Sequence, residues 1–269
     1  MYAGTTLRNT SGRLIGAHQK LDRVSRRALA SLVDAPDFPS AKEILHFEGR
    51  NGPDGIKIKS PARDEPWHYY DPEDPKDIGI ITLIERHSKN LTAAIKKGER
   101  EKASFEAAWL AHALVDGLTP AHHFPLHKHL EELRGEGLET RTTTKDKLIV
   151  RGKDDTAAQM LVKNWQYWGA GGVMNKHGLF EWGVATIIAP MRLRAGYPTA
   201  SECDDIMEVG VVEIFKRYVQ QIHSLTMYDR FIQKGWTNRL ARETREILAP
   251  MLVRIVTLAW YEAYRRAEA

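Results

Sequence analysis

The sequence predicts a mostly α-helical protein, a single multi-helix domain. Apolar residues recur at three- and four-residue spacing through most of the 269-residue chain, the pattern of a helix with one buried face. Gly- and Pro-rich runs such as Asp34-Ala35-Pro36 and Gly169-Ala170-Gly171-Gly172 stop those stretches. Only one short segment carries the β-branched clusters expected of strands. The chain is 42% hydrophobic, an ordinary globular fraction that excludes disorder. With no internal repeat, one domain over residues 1–269 is the economical reading.

The elements follow in order. Residues 14–33 form an amphipathic helix, stopped by Asp34-Ala35-Pro36. Residues 37–77, rich in Pro, Gly and Asp, are mostly loop, with a short helix near 41–46. Residues 77–97 and 102–118 are two helices joined at Gly98, with Asp77 as the first N-cap. Thr142-Thr143-Thr144 and Leu148-Ile149-Val150 suggest a hairpin within 139–151. Helices follow at 157–168, at 177–194 with an interruption near Pro190, at 200–225, and at 237–267 with Pro250 as a kink.

Composition narrows the chemistry. A lone cysteine, Cys203, excludes an internal disulfide and a thiolate metal cluster, so His, Asp and Glu must hold any metal. A net charge of +4 and a pI near 9.0 suit an anionic substrate or an acidic surface, and are too weak to predict nucleic-acid binding. The C-terminal arginines read as a solvated helix face. The most apolar run, residues 247–261, is broken by Pro250 and Arg254 and is read as too short to span a bilayer. Residues 1–6 lack a signal-peptide pattern, so a cytoplasmic location is expected; a chain shortened at its N-terminus would read the same and be secreted. No obligate protein partner is expected.

The most informative stretch is His112-Ala-Leu-Val-Asp116-Gly-Leu-Thr-Pro120-Ala-His122. His112 and Asp116 share one helix face, one turn apart. Pro120 ends the helix, so His122 can turn toward a neighbouring centre. Nitrogen and oxygen ligands at this spacing suit zinc, and one carboxylate can bridge two ions. A hydrogen-bonded core network would use the same spacing. Further candidates are His18, after the small residues Gly16 and Ala17; Asp54, in a Pro-Asp-Gly turn; His68, among Trp67, Tyr69 and Tyr70; and the His177-xxx-Glu181 pair. Taken singly, these also read as a surface histidine, an ordinary turn and packing residues.

The ordered series His18, Asp54, His68-Tyr-Tyr-Asp-Pro, His112-xxx-Asp116-xxx-Pro-x-His122 and His177-xxx-Glu181 resembles the bacterial zinc-dependent phospholipases C, over residues 12–182. The single-strand-specific zinc nucleases share that fold. The Asp-Pro after His68 and Glu181 lean toward the phospholipase side. The resemblance implies two or three Zn2+ ions in a helical domain. Asp54, His68, His112 and Asp116 would hold the first. Asp116 would bridge to a second, held also by His18 and, in the family, by an N-terminal tryptophan. His122, His177 and Glu181 would hold the third.

Two features depart from the family. The chain begins Met1-Tyr2, with no tryptophan before His18, so the His18 site is the least complete. His122 and His177 lie 55 positions apart, which marks an insert at about 124–175 and makes His127 and His129 alternative third-site ligands.

The implied activity is phosphate-ester hydrolysis, with Asp54 as the catalytic residue that orients or deprotonates water. The implied partner is a phospholipid or other phosphodiester, with a possible membrane surface; Trp67, Tyr69 and Tyr70 are candidate contacts for a choline-like cation. The alternatives are a zinc nuclease, whose partner would be nucleic acid, and a metal-binding protein without turnover.

Overall fold

Helical periodicity translates directly into the fold. The computed structural model describes residues 16–61 and 68–269; these are mostly helical, and no strand occurs among them. Trp67 and the N-terminal Met1-Tyr2 lie outside the described residues.

Helix α1 (Ala17–Leu32) buries Leu21, Val24, Ala28 and Leu29 along one face. Helix α2 (Ala41–His46) opens on a capping box between Ser40 and Glu43. The loop expected over 37–77 also contains α3 (Pro53–Lys59), started by Pro53 at its first turn, where the missing N–H has no helical partner to lose. Helices α4 (Gly79–Lys96) and α5 (Arg100–Leu118) pack together around Gly98, whose φ of +69° makes the joint. Asp77 acts one residue earlier than expected: its carboxylate accepts the Gly79 N–H at 3.3 Å, while Ile78 is the boundary residue.

After α5 a 3-10 turn, Pro120–His123, leads into α6 (Leu126–Arg134), α7 (Lys145–Leu148) and α8 (Ala157–Trp168). The expected hairpin is absent. Asn164 of α8 bonds both backbone groups of Val150, at 3.1 and 2.9 Å, and so replaces a strand partner. Of the apolar triplet only Val150 is buried; Leu148 and Ile149 face solvent. Tyr69, Leu126, Leu130, Val150 and Tyr167 form a small core of their own beside the main one.

Helix α9 (Val173–Ile188) stops just before Pro190. The helix expected over 200–225 is two, α10 (Ala200–Val209) and α11 (Val211–Ser224), split by Gly210 at φ +82°. Helices α12 (Met227–Lys234) and α13 (Asn238–Glu243) precede a π-helical turn, Thr244–Leu248, which runs into α14 (Ala249–Glu268). The expected interruption at Pro250 takes the form of this wider turn, which lies where its missing N–H breaks the α ladder.

By length and composition Asn238–Glu268 reaches the size of a membrane span, contrary to the sequence reading, but 83% of its apolar window is buried within the protein. It is a core helix. Helices α5 and α14 are the two central rods, and Trp260 of α14 donates its indole N–H to the Ala107 carbonyl at 3.1 Å. Every residue from 110 to 118 is buried. His112 and Asp116 thus lie on an element enclosed all round.

Candidate metal centre

Asp116 is fully buried, and its two oxygens face different imidazoles. Oδ1 lies 3.2 Å from His18 Nε2, which α1 brings across α5. Oδ2 lies 3.2 Å from His112 Nε2 and 3.9 Å from His68 Nε2. The His18 and His112 rings stack with centroids 4.0 Å apart.

Asp54 enters from the first turn of α3. Its Oδ1 lies 3.4 Å from His68 Nε2 and 3.8 Å from His112 Nε2, and its side chain keeps 25% of its surface open to solvent. The helix can sit this close to the preceding turn only because residue 55 is glycine: a Cβ there would lie 2.2 Å from the Arg50 carbonyl oxygen. The His68 strand of loop is pinned to the turn after α5, where the Tyr70 N–H donates to the His122 carbonyl at 3.0 Å.

A second cluster forms on α9. His177 and Glu181, one turn apart, meet His122 from the 3-10 turn. His122 Nε2 lies 2.7 Å and His177 Nε2 3.1 Å from the same oxygen, Glu181 Oε1. His122 Nδ1 donates to the His68 carbonyl. Nε2 of the neutral ring is then a lone pair facing a carboxylate oxygen, and two acceptors at that distance need a proton or a cation between them. Burial pushes the His122 pKa down to about 4, which removes the proton at neutral pH.

The donor set fits metal. Three groups, Asp54/His68/His112, His18/Glu48/His112 and His122/His177/Glu181, each hold candidate ligand atoms within 4.8 Å of one another. Both ring nitrogens of His18, and Nε2 of His112, are buried without a hydrogen bond although carboxylate oxygens lie beside them. Such near-contacts without hydrogen-bond geometry are what ligands directed at a common ion show. His127 and His129, the alternative third-site ligands, fall outside these groups among the described residues: His127 packs edge-on to Tyr69 at 4.7 Å, and His129 is half-buried beside Glu132.

The electrostatics agree. Burial opposes ionisation of Asp116, yet His122, His112 and His18 hold its carboxyl well below the usual range. Burial is likewise outweighed at Glu181 by His177 and His122, and at Asp54 by the hydrogen bond to His68 and the charge of His112. Burial and nearby Lys57 lower His68. His112 goes the other way: burial is overcome by Asp116 and Glu48, which raise its pKa well above the ordinary value. Ionised carboxylates beside His68 and His122, whose charged forms burial disfavours, are a site prepared for a divalent cation, which would displace the proton from His112.

Two residues of the site escaped sequence reasoning. Glu48 Oε1 accepts from His112 Nδ1 at 3.2 Å, while Oε2 takes the Gly49 N–H at 3.1 Å. It fixes the ring so that Nε2 faces Asp54 and Asp116. Asp22 lies one turn beyond His18 on α1, fully enclosed; burial, and then the charge of Glu48, raise its pKa well above the usual carboxylate value. The His18-xxx-Asp22 spacing repeats that of His112-xxx-Asp116 and was a usable signal; Glu48 stands in no such pattern.

No protein family, no curated protein and no solved structure was found to match the chain.

Proposed function

We propose that the protein is a zinc-dependent hydrolase of phosphate esters, a phospholipase C that releases diacylglycerol and a phosphorylated head group, on the fold of the bacterial zinc phospholipases C and zinc nucleases. The observation that carries this reading is the meeting of seven of the eight expected ligands in groups of ligand type, with the eighth, Asp116, between His18 and His112. Nitrogen and oxygen donors without thiolate suit zinc.

Zinc bound there supplies charge for the phosphate oxygens and a water acidified to pKa about 7. The chain does the rest. Asp54 alone in its group is partly open to solvent, so it is the residue that accepts a hydrogen bond from the attacking water and orients it. Asp116, Asp54 and Glu181 keep the site anionic without substrate, and the buried α5 face excludes bulk water from His112.

The experiment is zinc analysis of protein purified without chelator, together with turnover of short-chain phospholipids and of single-stranded DNA. Two or three zinc ions per chain and phospholipid hydrolysis are expected, with the activity and the zinc of the Asp116-bridged centre lost together in His112→Ala and in Asp116→Ala. Turnover of DNA alone would assign the nuclease activity instead. Bound zinc without hydrolysis of either would leave a metal-binding protein, and full activity in either variant would refute the centre.

A further inference from the structure

A cavity of about 430 Å³ lies beside the His122/His177/Glu181 group and shares Tyr69 with it. That volume is within the range of small-molecule sites. Tyr69 links the two: its ring stacks on His122, 5.3 Å between centroids, and the same residue lines the cavity. The remaining walls come mostly from the insert, with α6, α7 and α8 all contributing.

The charged side chains among its described lining residues, Lys57, Arg141, Lys145 and Lys147, are all cationic. Its floor is apolar, built on Leu126, Leu130 and Met174. At the mouth stand Leu148 and Trp168, both exposed. Trp168 continues into Trp165 and Leu161, which are three and seven residues back on α8 and so share its face; they are 69% and 72% exposed. An exposed aliphatic and aromatic ridge leading into a cationic cavity is amphiphilic in the same order as a lipid.

The aromatic face that a choline-like head group would need is already taken. Lys57 Nζ sits over the Tyr69 ring, 5.4 Å from its centroid. Tyr70 packs instead on Phe215 of the main core. A quaternary ammonium entering here would meet like charge, whereas an anion would meet the ammonium groups of Lys57 and Lys145.

We propose that this insert-walled cavity is the head-group pocket of the enzyme, and that it selects phospholipids whose head group carries an anion of its own, a phosphate or carboxylate, over phosphatidylcholine. The assignment rests on the phospholipase reading for its catalytic meaning, but the binding preference does not require turnover. Lys57 is a specificity residue in this scheme: it contributes attraction for the anion and blocks the Tyr69 face to choline.

Calorimetric titration with short-chain phosphatidylinositol 4-phosphate and phosphatidylcholine tests it, with thermal unfolding confirming that each variant folds. The phosphoinositide is expected to bind at least about tenfold tighter, one order of magnitude being about 1.4 kcal/mol. Lys145→Glu should weaken that lipid and leave phosphatidylcholine unchanged. Lys57→Met should weaken the phosphoinositide and strengthen phosphatidylcholine, a reversal that a merely structural role would not give. Equal or tighter binding of phosphatidylcholine to the unaltered protein would overturn the proposal. So would a preference untouched by both substitutions, or displacement of the phosphoinositide by lower concentrations of an oligonucleotide. A confirmed preference without hydrolysis of either lipid would refute the phospholipase reading and leave the pocket assignment standing.

Discussion

Glu48→Gln is the most informative single change, because it alters charge while keeping shape. Glu48 is 5% exposed and makes two bonds, from His112 Nδ1 at 3.2 Å and from the Gly49 N–H at 3.1 Å. A glutamine carbonyl can still accept from the ring, but the charge-assisted part of the bond is gone, and such bonds are roughly twice as strong as neutral ones. Partners of this kind typically contribute 10- to 100-fold in metal affinity, about 1.4–2.7 kcal/mol. The folded state should be little affected without metal, because removing the Glu48 charge also relieves the repulsion that raises Asp22. Glu48→Ala differs: it strands two buried donors and should destabilise the protein by about 1–3 kcal/mol for each group left unsatisfied. The assay is zinc competition against a chromophoric chelator, with thermal unfolding of the metal-free variants in parallel. Zinc affinity of Glu48→Gln within twofold of the unaltered protein would refute the role given to Glu48.

Three further outcomes are expected. Glu181→Ala should lose one zinc of the set while His129→Ala loses none, measured as metal per chain; the reverse result would move the third ligand group into the insert. His123 is held down to about 4, chiefly by burial, and regains about 6.5 on unfolding. Its contribution to stability is therefore complete above pH 6.5 and is lost as pH falls toward 4; His123→Gln should flatten the fall in Tm over that window in metal-free protein, and an unchanged slope would contradict this. Gly117→Ala, beside Asp116, would place a Cβ 2.5 Å from the Phe215 ring. Overpacking of this kind costs about 1–3 kcal/mol, so its Tm should drop by roughly 2–12 °C; an unchanged Tm would show that Phe215 moves freely.

The α class and most helices were legible because their apolar stripes match the period of a helix, as α1 and α11 illustrate. Boundaries depended on single backbone features with weak spelling. Gly210 reads as an ordinary interior residue, yet its positive φ divides two helices. The Thr and Leu-Ile-Val clusters read as strands because propensity sees only the local chain, whereas Asn164, fourteen residues on, supplies the bonds a strand partner would give. The eight candidate ligands were visible through His-xxx-carboxylate spacing and family likeness. Glu48 was not, since its role depends on where α2 delivers the chain against α5, sixty-four residues away. The head-group question had the same character: the aromatics around 67–70 suggested a cation, and only the fold shows Lys57 over Tyr69.

Anomalous diffraction at the zinc edge, from crystals grown with zinc and without chelator, tests the centre most directly. Peaks are expected within bonding distance of His122 Nε2, His177 Nε2 and Glu181, and of Asp54, His68, His112 and Asp116, with the weakest occupancy beside His18. Crystals with no peak at these side chains, or with zinc bound only by the exposed histidines, would contradict the account.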